Sequence, residues 1–483
     1  MNYSGIKALI MGLGLNGGGL ESARFMLKRG ASLIVTDLRD EKILKPSIDM
    51  LDAYCSGSAG IRYVLGKHEI DDFKNADIVI KNPGVRPDSP FLSVSRRIET
   101  DISLFLSESP ARLFAVTGTK GKSGTSSALY RILAKAKESN NASNAARAKA
   151  HLGGNITVSP LTFLDDLTED DDVVLELSSF QLGDIKNRKN PRGEALLKPA
   201  AAVITSIMPD HLDRYASMDE YVDDKKNIYR GQDESCFTIA MNDEWGRIFL
   251  SETKGRPLVY TASEQSLGEN QYGGWIDKTS GRGCARCFNN ETVELVPERL
   301  NVPGDHHKLN MLAASLAAYA AGVKPETIMS ALSAYNGIEH RLEFFHEAGG
   351  ARFYNDSAAT IPQAAAACIG ALSPLVLVTG GTDKNLDFSP LVNAAKEAAA
   401  LRKLRAIILL AGTGSDKLRR LLAEAGVSFH GPFDNLDKAV ICAVSSAQSG
   451  DNIALSPGCA SFGMFLNEFD RGKKWKESVK KLV

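Results

Sequence analysis

Two short glycine loops carry the strongest chemical signal in the chain. Gly118-Thr119-Lys120-Gly121-Lys122-Ser123 ends an apolar run with glycines, a lysine and a hydroxyl in the order of a phosphate-binding loop. Backbone amides there can surround a β-phosphate, Lys122 can bring positive charge to the β/γ oxygens, and the Ser123 hydroxyl can ligate Mg²⁺. Val116 stands where the usual pattern opens on glycine, so this is a shortened variant; it still predicts ATP binding through Gly118, Thr119, Lys120, Gly121, Lys122 and Ser123. Near the N-terminus, Gly12-Leu13-Gly14-Leu15-Asn16-Gly17 follows another apolar run, precedes a helical pattern from about Glu21, and has Asp37 some way on. An acidic residue roughly 20 positions after such a fingerprint fits a dinucleotide. The same glycines also suit a nucleotide-sugar diphosphate or plain packing of a helix on a strand, and the residues alone leave these readings open.

Three further side chains could join the phosphate chemistry. Glu176 closes the run Val173 to Leu177, and a carboxylate at the C-terminal edge of a parallel strand either holds Mg²⁺ or caps a helix. His211, within Pro209-Asp210-His211-Leu212-Asp213, follows the next strand and can reach the same edge, or is structural. Lys225 lies in the charge run Asp223 to Lys226, whose default reading is a solvated helix face. Cys284 and Cys287 form a CxxC without a second pair nearby, which predicts a surface hairpin rather than zinc.

Positioning these groups requires strands that end together. Ala8 to Met11, Leu33 to Thr36, Ile78 to Ile80, Leu113 to Thr117, Val173 to Leu177, Ala201 to Thr205, Leu375 to Thr379 and Ile407 to Ala411 are short apolar runs separated by helical patterns. Such alternation predicts an α/β protein of parallel sheets with crossover helices. Polar Ser107 to Pro110 marks one boundary, and the end of an Ala-rich helical stretch near Tyr335 to Ile338 marks another. Glu138 to Ala150 reads as a loop or frayed helix, and Gly-rich Ser266 to Asn290 as turns between short strands.

The whole chain bounds the function. Its 483 residues suffice for three domains, at about 150 residues each. With 57 Lys and Arg against 58 Asp and Glu, the formal charge is −1, which excludes a general basic field for nucleic acid or an anionic membrane. Apolar runs have strand length, so no membrane span is expected. The N-terminus lacks a signal-peptide pattern and the seven cysteines are scattered, which predicts reduced thiols and a cytoplasmic location.

Taken together, Gly-Thr-Lys-Gly-Lys-Ser, Glu-Leu-Ser-Ser-Phe-Gln-Leu (176–182), Asp-His-Leu-Asp-Arg-Tyr (210–215), Gly-Asp-His-His-Lys-Leu-Asn (304–310), Glu-His-Arg-Leu-Glu (339–343), Asn-Asp-Ser (355–357) and Leu-Ser-Pro-Gly-Cys-Ala-Ser-Phe (455–462) resemble the ATP-dependent Mur ligases of peptidoglycan synthesis, nearly end to end and in the family's order. The opening fingerprint with Asp37, Asn82-Pro83-Gly84, Gly380 to Lys384 and Ser456 to Ser461 are most similar to members that join D-glutamate to UDP-N-acetylmuramoyl-L-alanine.

The resemblance implies three α/β domains: a Rossmann-like one binding the UDP-substrate (1–109), a central P-loop ATPase-like one with a mostly parallel sheet (110–337), and a C-terminal Rossmann-like one binding the amino acid (338–483). It further implies Mg²⁺ at Ser123 and Glu176, a second ion at His211, and Lys225 carried as a carbamate. Lys122, Lys225 and His211 are then the catalytic set, and Asn310, Arg341 and Asp356 hold the adenine nucleotide. Leu15, Asn16, Asp37, Leu38, Arg39 and Asn82 fall where uridine diphosphate is held, Asn155 where the muramoyl-alanine arm passes, and Thr360, Lys384, Ser461 and Phe462 around the amino acid. The implied reaction activates the substrate carboxylate as an acyl phosphate, which the amine of D-glutamate attacks, in a monomer whose domains close over the substrates.

Several positions depart from the family pattern: Ala358, Gly463, Leu466 and Glu468 around the amino-acid pocket, Gly124 after the phosphate loop, Ser103, and His307. The alternatives are an NAD(P)-dependent oxidoreductase, from the first fingerprint alone, or a nucleotide-sugar-binding protein without turnover.

Overall fold

The computed structural model describes residues 2–15, 17–54, 60–140, 148–156, 158–190, 192–268, 271–287 and 291–483. Three sheets organise them. The first contains β1 (Lys7–Met11), β2 (Ser32–Asp37), β3 (Ile61–Leu65), β4 (Ile78–Lys81) and β5 (Ile98–Glu99), all parallel, in the order β3-β2-β1-β4-β5. Ala8 to Met11 are buried without alternation, as expected of a parallel strand covered on both faces. Chain direction reverses its placement across β1 and β4, and the crevice at such a switch point is where an α/β sheet binds ligands. The first glycine loop leaves β1 there and Asn82 leaves β4. A side chain on Gly19 would meet the carbonyls of Gly12 and Leu13, so glycine allows the helix Gly18–Lys28 to start this close to the strand.

The second sheet contains β6 (Arg112–Thr117), β7 (Ala150–Gly154), β8 (Asp172–Glu176), β9 (Ala201–Ile204), β10 (Phe237–Met241), β11 (Arg256–Thr261), β12 (Gly273–Ile276), β13 (Gly283–Cys287) and β14 (Glu291–Val296). Its order is β14-β13-β12-β11-β10-β9-β6-β8-β7, parallel from β7 to β12 with an antiparallel edge. The phosphate loop leaves β6, which lies between β8 and β9, so Glu176 and Thr205 emerge on either side of it. Cys284 and Cys287 correct the expectation of a surface hairpin: both are buried on β13, the middle strand of the antiparallel edge. Three positions apart on a strand, their side chains point to opposite faces and cannot share a metal.

The third sheet contains β15 (Glu343–Ala348), β16 (Ala351–Asn355), β17 (Leu375–Gly380), β18 (Leu404–Leu410), β19 (His430–Phe433) and β20 (Asn452–Leu455), ordered β15-β16-β20-β17-β18-β19. Only β15 runs antiparallel to its neighbour.

The chain divides into two compact units, 1–298 with 308–332, and 299–307 with 333–483. The first unit therefore holds two sheets. They are joined by ion pairs, Lys81 Nζ to Asp184 Oδ2 at 2.7 Å, Arg29 to Asp165 at 2.6 Å, and Arg188 to Glu99. Arg214 adds bonds from its guanidinium to the carbonyls of Pro83, Gly84 and Val85. No described helix is long and apolar enough to cross a membrane.

Lys81 and Asp184 are both almost fully buried, and burial pulls the Lys81 pKa down and the Asp184 pKa up. Lys81→Ala leaves a carboxylate buried without its cation and is expected to cost about 3–5 kcal/mol in urea unfolding, whereas the apolar pair Lys81→Met/Asp184→Leu should recover most of that loss.

Candidate active site

The phosphate loop is held by its neighbours before any ligand is considered. Gly118 has φ +143°, and a Cβ there would run into Thr205 Oγ1. Gly121 has φ +91°, and its Cβ would lie 2.6 Å from Asn310 Oδ1, so both positions exclude a side chain and Asn310 sits against the loop. The Thr119 amide donates to the Ser206 carbonyl at 2.7 Å, and its hydroxyl lies 2.9 Å from the Tyr221 hydroxyl. Lys122 Nζ donates to the carbonyls of Gly118 and Thr119, both at 3.0 Å.

Lys225 departs most from the sequence expectation of a solvated face. Its side chain is 2% exposed, its Nζ donates to the Gly118 carbonyl at 2.8 Å, and the same nitrogen lies 4.6 Å from the centre of the Tyr221 ring. Burial, then the charge of Lys122, pull its pKa down to about 7, against the opposing pull of Asp210 and Asp224. A lysine in this condition has a substantial neutral fraction near neutral pH and is nucleophilic.

Glu176, at the end of β8, is 1% exposed. Its carboxylate accepts from Asn155 Nδ2 at 2.9 Å and from Ser126 Oγ at 3.4 Å, and among the described residues it has no cation within ion-pair reach. Asn155 is fixed in turn by its amide, which donates to the Glu176 carbonyl at 2.8 Å. His211 has φ +55°, a left-handed turn that sets its ring 4.8 Å from Phe180 at the cavity wall.

A cavity of about 490 Å³ is lined from both the first and the second sheet, with Glu176 behind Asn155 rather than in its lining. Asn82 and Gly84 line it from the first sheet; Lys122, Asn155, His211 and Lys225 line it from the second. Two carboxyl groups not anticipated as site residues, Asp101 and Asp210, also face it, with Ser179 and Gln181. A larger cavity of about 730 Å³ against Met241, Arg247, Leu250 and Tyr272 contains none of the expected residues.

At the first glycine loop, Asp37 Oδ2 accepts the Gly14 amide at 3.1 Å and Oδ1 the Arg39 amide at 2.9 Å, so this carboxylate braces the loop. Leu15 and Leu38 are exposed beside it, apolar surfaces on which a flat ring can rest, and Asn16 lies outside the described residues.

In the second unit, the expected residues leave three adjacent parallel strands at their C-terminal ends: Asp356 and Thr360 after β16, Ser461 and Phe462 after β20, Lys384 after β17. Thr382 and Ala460 exchange backbone bonds at 3.1 and 3.0 Å, which ties the Lys384 loop to the Ser461 loop. Asp356 accepts Ser456 Oγ at 2.6 Å and the Leu342 amide at 3.1 Å, and burial pushes its pKa up to about 7. Arg341 precedes Leu342 in the same turn. No sequence motif marks Arg471. It is buried, donates to Ser357 O at 2.8 Å, Ser357 Oγ at 2.9 Å and Cys459 O at 3.2 Å, and so clamps the loops after β16 and β20. Glu339, His340 and Glu343 cluster closely, but Lys476 already neutralises both carboxylates at 2.7 and 2.9 Å.

Phe180 and Arg214 stand in the sequence only inside the motifs 176–182 and 210–215. The Arg214 guanidinium stacks 3.7 Å over the Phe180 ring while bonding the carbonyls after Asn82, so it joins the cavity wall to the first sheet. Nothing in the spacing of the sequence distinguishes these roles.

Comparison with known proteins agrees with this architecture. The Mur ligase middle domain matches residues 116–318, and the MurD-like N-terminal domain of Mur ligases matches residues 6–103. The UDP-N-acetylmuramoylalanine–D-glutamate ligase of Treponema pallidum (strain Nichols) is 39% identical, covering 99% of this chain and 98% of that one. Its counterpart in Roseiflexus sp. (strain RS-1) is 37% identical over 99% of both. Among solved structures, the UDP-N-acetylmuramate-alanine ligase MurC of Thermotoga maritima superposes with a TM-score of 0.55 at 17% identity, covering 99% of this chain and all of that one, a likeness of fold. The chain belongs to the Mur ligase family. It is a ligase with that family's three-domain α/β fold, and the oxidoreductase reading of the first glycine loop receives no support.

The raised pKa of Asp356 has a consequence for stability. An unfolded aspartate ionises near pH 4, so folded protein holds this proton over a window from about 4 to 7 in which the unfolded chain releases it. The contribution of this group to stability is full below that window and is lost as pH rises through it. Asp356→Asn should therefore lose less stability than the wild type between pH 5 and pH 8, by an amount on the order of 2–3 kcal/mol, read by denaturant unfolding at the two pH values.

Proposed function

We propose that the chain joins D-glutamate to UDP-N-acetylmuramoyl-L-alanine at the expense of ATP, through an acyl phosphate, with residues 1–109 binding the uridylated substrate, 110–337 the nucleotide and 338–483 the amino acid. The observation that carries this reading is the single cavity onto which Asn82 of the first sheet and Lys122, Asn155 and Lys225 of the second all open. A uridylated acid anchored at the first glycine loop and a triphosphate at the second then meet in one place. The full-length likeness to ligases of that name supports the choice of substrates.

Lys122 leaves its loop carbonyls to meet the β/γ oxygens, where its charge offsets that which develops during transfer. The substrate carboxylate attacks the γ-phosphorus and ADP leaves; the amine of D-glutamate attacks the acyl carbon, and phosphate leaves with formation of the amide. Asn155 orients both Glu176 and the arm of the acid substrate. The donor set fits a hard cation: Glu176 is buried with only neutral partners, Ser123 offers a hydroxyl, and His211 a ring nitrogen. Mg²⁺ held by Ser123 and Glu176, and a second ion by His211 with Lys225, would neutralise phosphate charge. The lowered pKa of Lys225 supports its conversion to a carbamate, since its neutral amine adds to carbon dioxide, forms an N–C bond and releases a proton. Asn310, Arg341 and Asp356 are assigned to the adenine nucleotide, and Thr360, Lys384, Ser461 and Phe462 to the amino acid. The protein acts as a cytoplasmic monomer in this reading.

With ATP, Mg²⁺ and UDP-N-acetylmuramoyl-L-alanine, phosphate release is expected to depend on D-glutamate, and release that ignores the amino acid counts against the assignment. Lys225→Ala should lower kcat by at least about 10³-fold, with partial recovery in added bicarbonate or a short carboxylate; a wild-type rate in that variant would remove the carbamate from the mechanism.

A further inference from the structure

Of the two carboxyl groups on the cavity wall that the mechanism leaves without a task, Asp101 and Asp210, the first is buried and the second half-buried. Asp101 opens the helix Asp101–Glu108, directly after the N-cap Thr100, and its side chain is 7% exposed. Oδ1 accepts the Ile102 amide at 2.9 Å and Oδ2 accepts the Ser159 hydroxyl at 3.1 Å. Among the described residues no lysine, arginine or histidine lies within ion-pair distance of it. Asp101 and Ser159 nonetheless both line the 490 Å³ cavity, as do Asn82 and Asn155.

A carboxylate so placed conflicts with its surroundings. A diphosphate, a triphosphate and the reacting carboxylate of the substrate are all negative, and an ionised side chain without a cation would repel each of them in a low-dielectric site. A neutral carboxyl removes the conflict and adds a hydrogen-bond donor, while its carbonyl oxygen still accepts. Burial acts in that direction, raising the Asp101 pKa against the opposing pull of Ser159 and the backbone amides. The section of the acid substrate that is uncharged is the sugar and lactyl arm between its diphosphate and its carboxylate.

We propose that Asp101, oriented by Ser159, is a specificity-determining residue that hydrogen-bonds an uncharged hydroxyl or amide of that arm. The inference rests on the cavity being the passage for the acid substrate. It assigns to this buried pair a share in recognising the sugar, separate from the anchoring of the diphosphate and from the chemistry at Lys122.

Calorimetric binding of UDP-N-acetylmuramoyl-L-alanine to the full-length protein, with steady-state kinetics, tests it. Asp101→Asn, which keeps shape, one acceptor and a donor, should hold the affinity within about threefold of wild type. Asp101→Ala should raise the KM for the acid substrate about 10–100-fold, with kcat and the KM for ATP within about twofold, and Ser159→Ala should raise it less. A tenfold loss of affinity in Asp101→Asn would mean that the group acts as an anion and would overturn the proposal, even if Asp101→Ala fails to fold. An unchanged KM in Asp101→Ala, or equal effects on the acid substrate and ATP, would overturn it as well. Failure of the wild-type protein to bind the acid substrate would instead refute the assignment of the cavity on which the inference depends.

Discussion

Two lysine nitrogens, from Lys122 and Lys225, converge on the carbonyl oxygen of Gly118. This convergence of cationic groups organises the rest of the site. One lysine belongs to the loop, where it also bonds the Thr119 carbonyl; the other comes from the helix Met218–Lys226 and is buried. Burial, reinforced by the charge of Lys122, pulls the enclosed Lys225 toward the neutral amine. Two residues of the same type, a loop lysine and a buried helix lysine, thus bond the same carbonyl oxygen from different solvent environments.

That arrangement requires the glycine loop to be rigid and the cavity to stay assembled. Rigidity comes from contacts that exclude side chains at Gly118 and Gly121, with Thr119 held by Ser206 and near Tyr221. Assembly comes from the first unit's internal links. Lys81 and Asp184 form a buried pair, and Arg214 connects the Phe180 ring with the turn after Asn82. Lys81 ends β4, and the turn after Asn82 that Arg214 bonds follows it, on the edge where parallel sheets collect function. The same rule governs the second unit, where Arg471 draws together the loops after β16 and β20, at whose sites a buried cation satisfies two backbone carbonyls.

The eight apolar runs singled out in the sequence each fall on a strand, three of them (ending at Leu177, Thr205 and Ala411) running one residue past its end, because a parallel strand buried on both faces leaves an unbroken apolar stretch that composition cannot hide. The antiparallel edge was harder to read. Gly273–Ile276 and Gly283–Cys287 are Gly-rich and short, so they look like turns, and the CxxC on the second of them suggested a surface hairpin although both thiols are buried. Lys225 illustrates the same limit at the site. A charge run signals a solvated face, and only the packing of that helix under the phosphate loop removes one of its lysines from water.

The sequence by itself determined the two glycine loops, the alternation that makes parallel sheets and the order of motifs that marks the family, since each depends on local spacing along the backbone. Tertiary structure alone decided that Asp101 faces Ser159, that Arg214 covers Phe180 and that Arg471 bridges two loops. Those pairings join residues 58, 34 and 114 positions apart. Their energies come from burial and close approach, properties that no residue possesses until the sheets have formed.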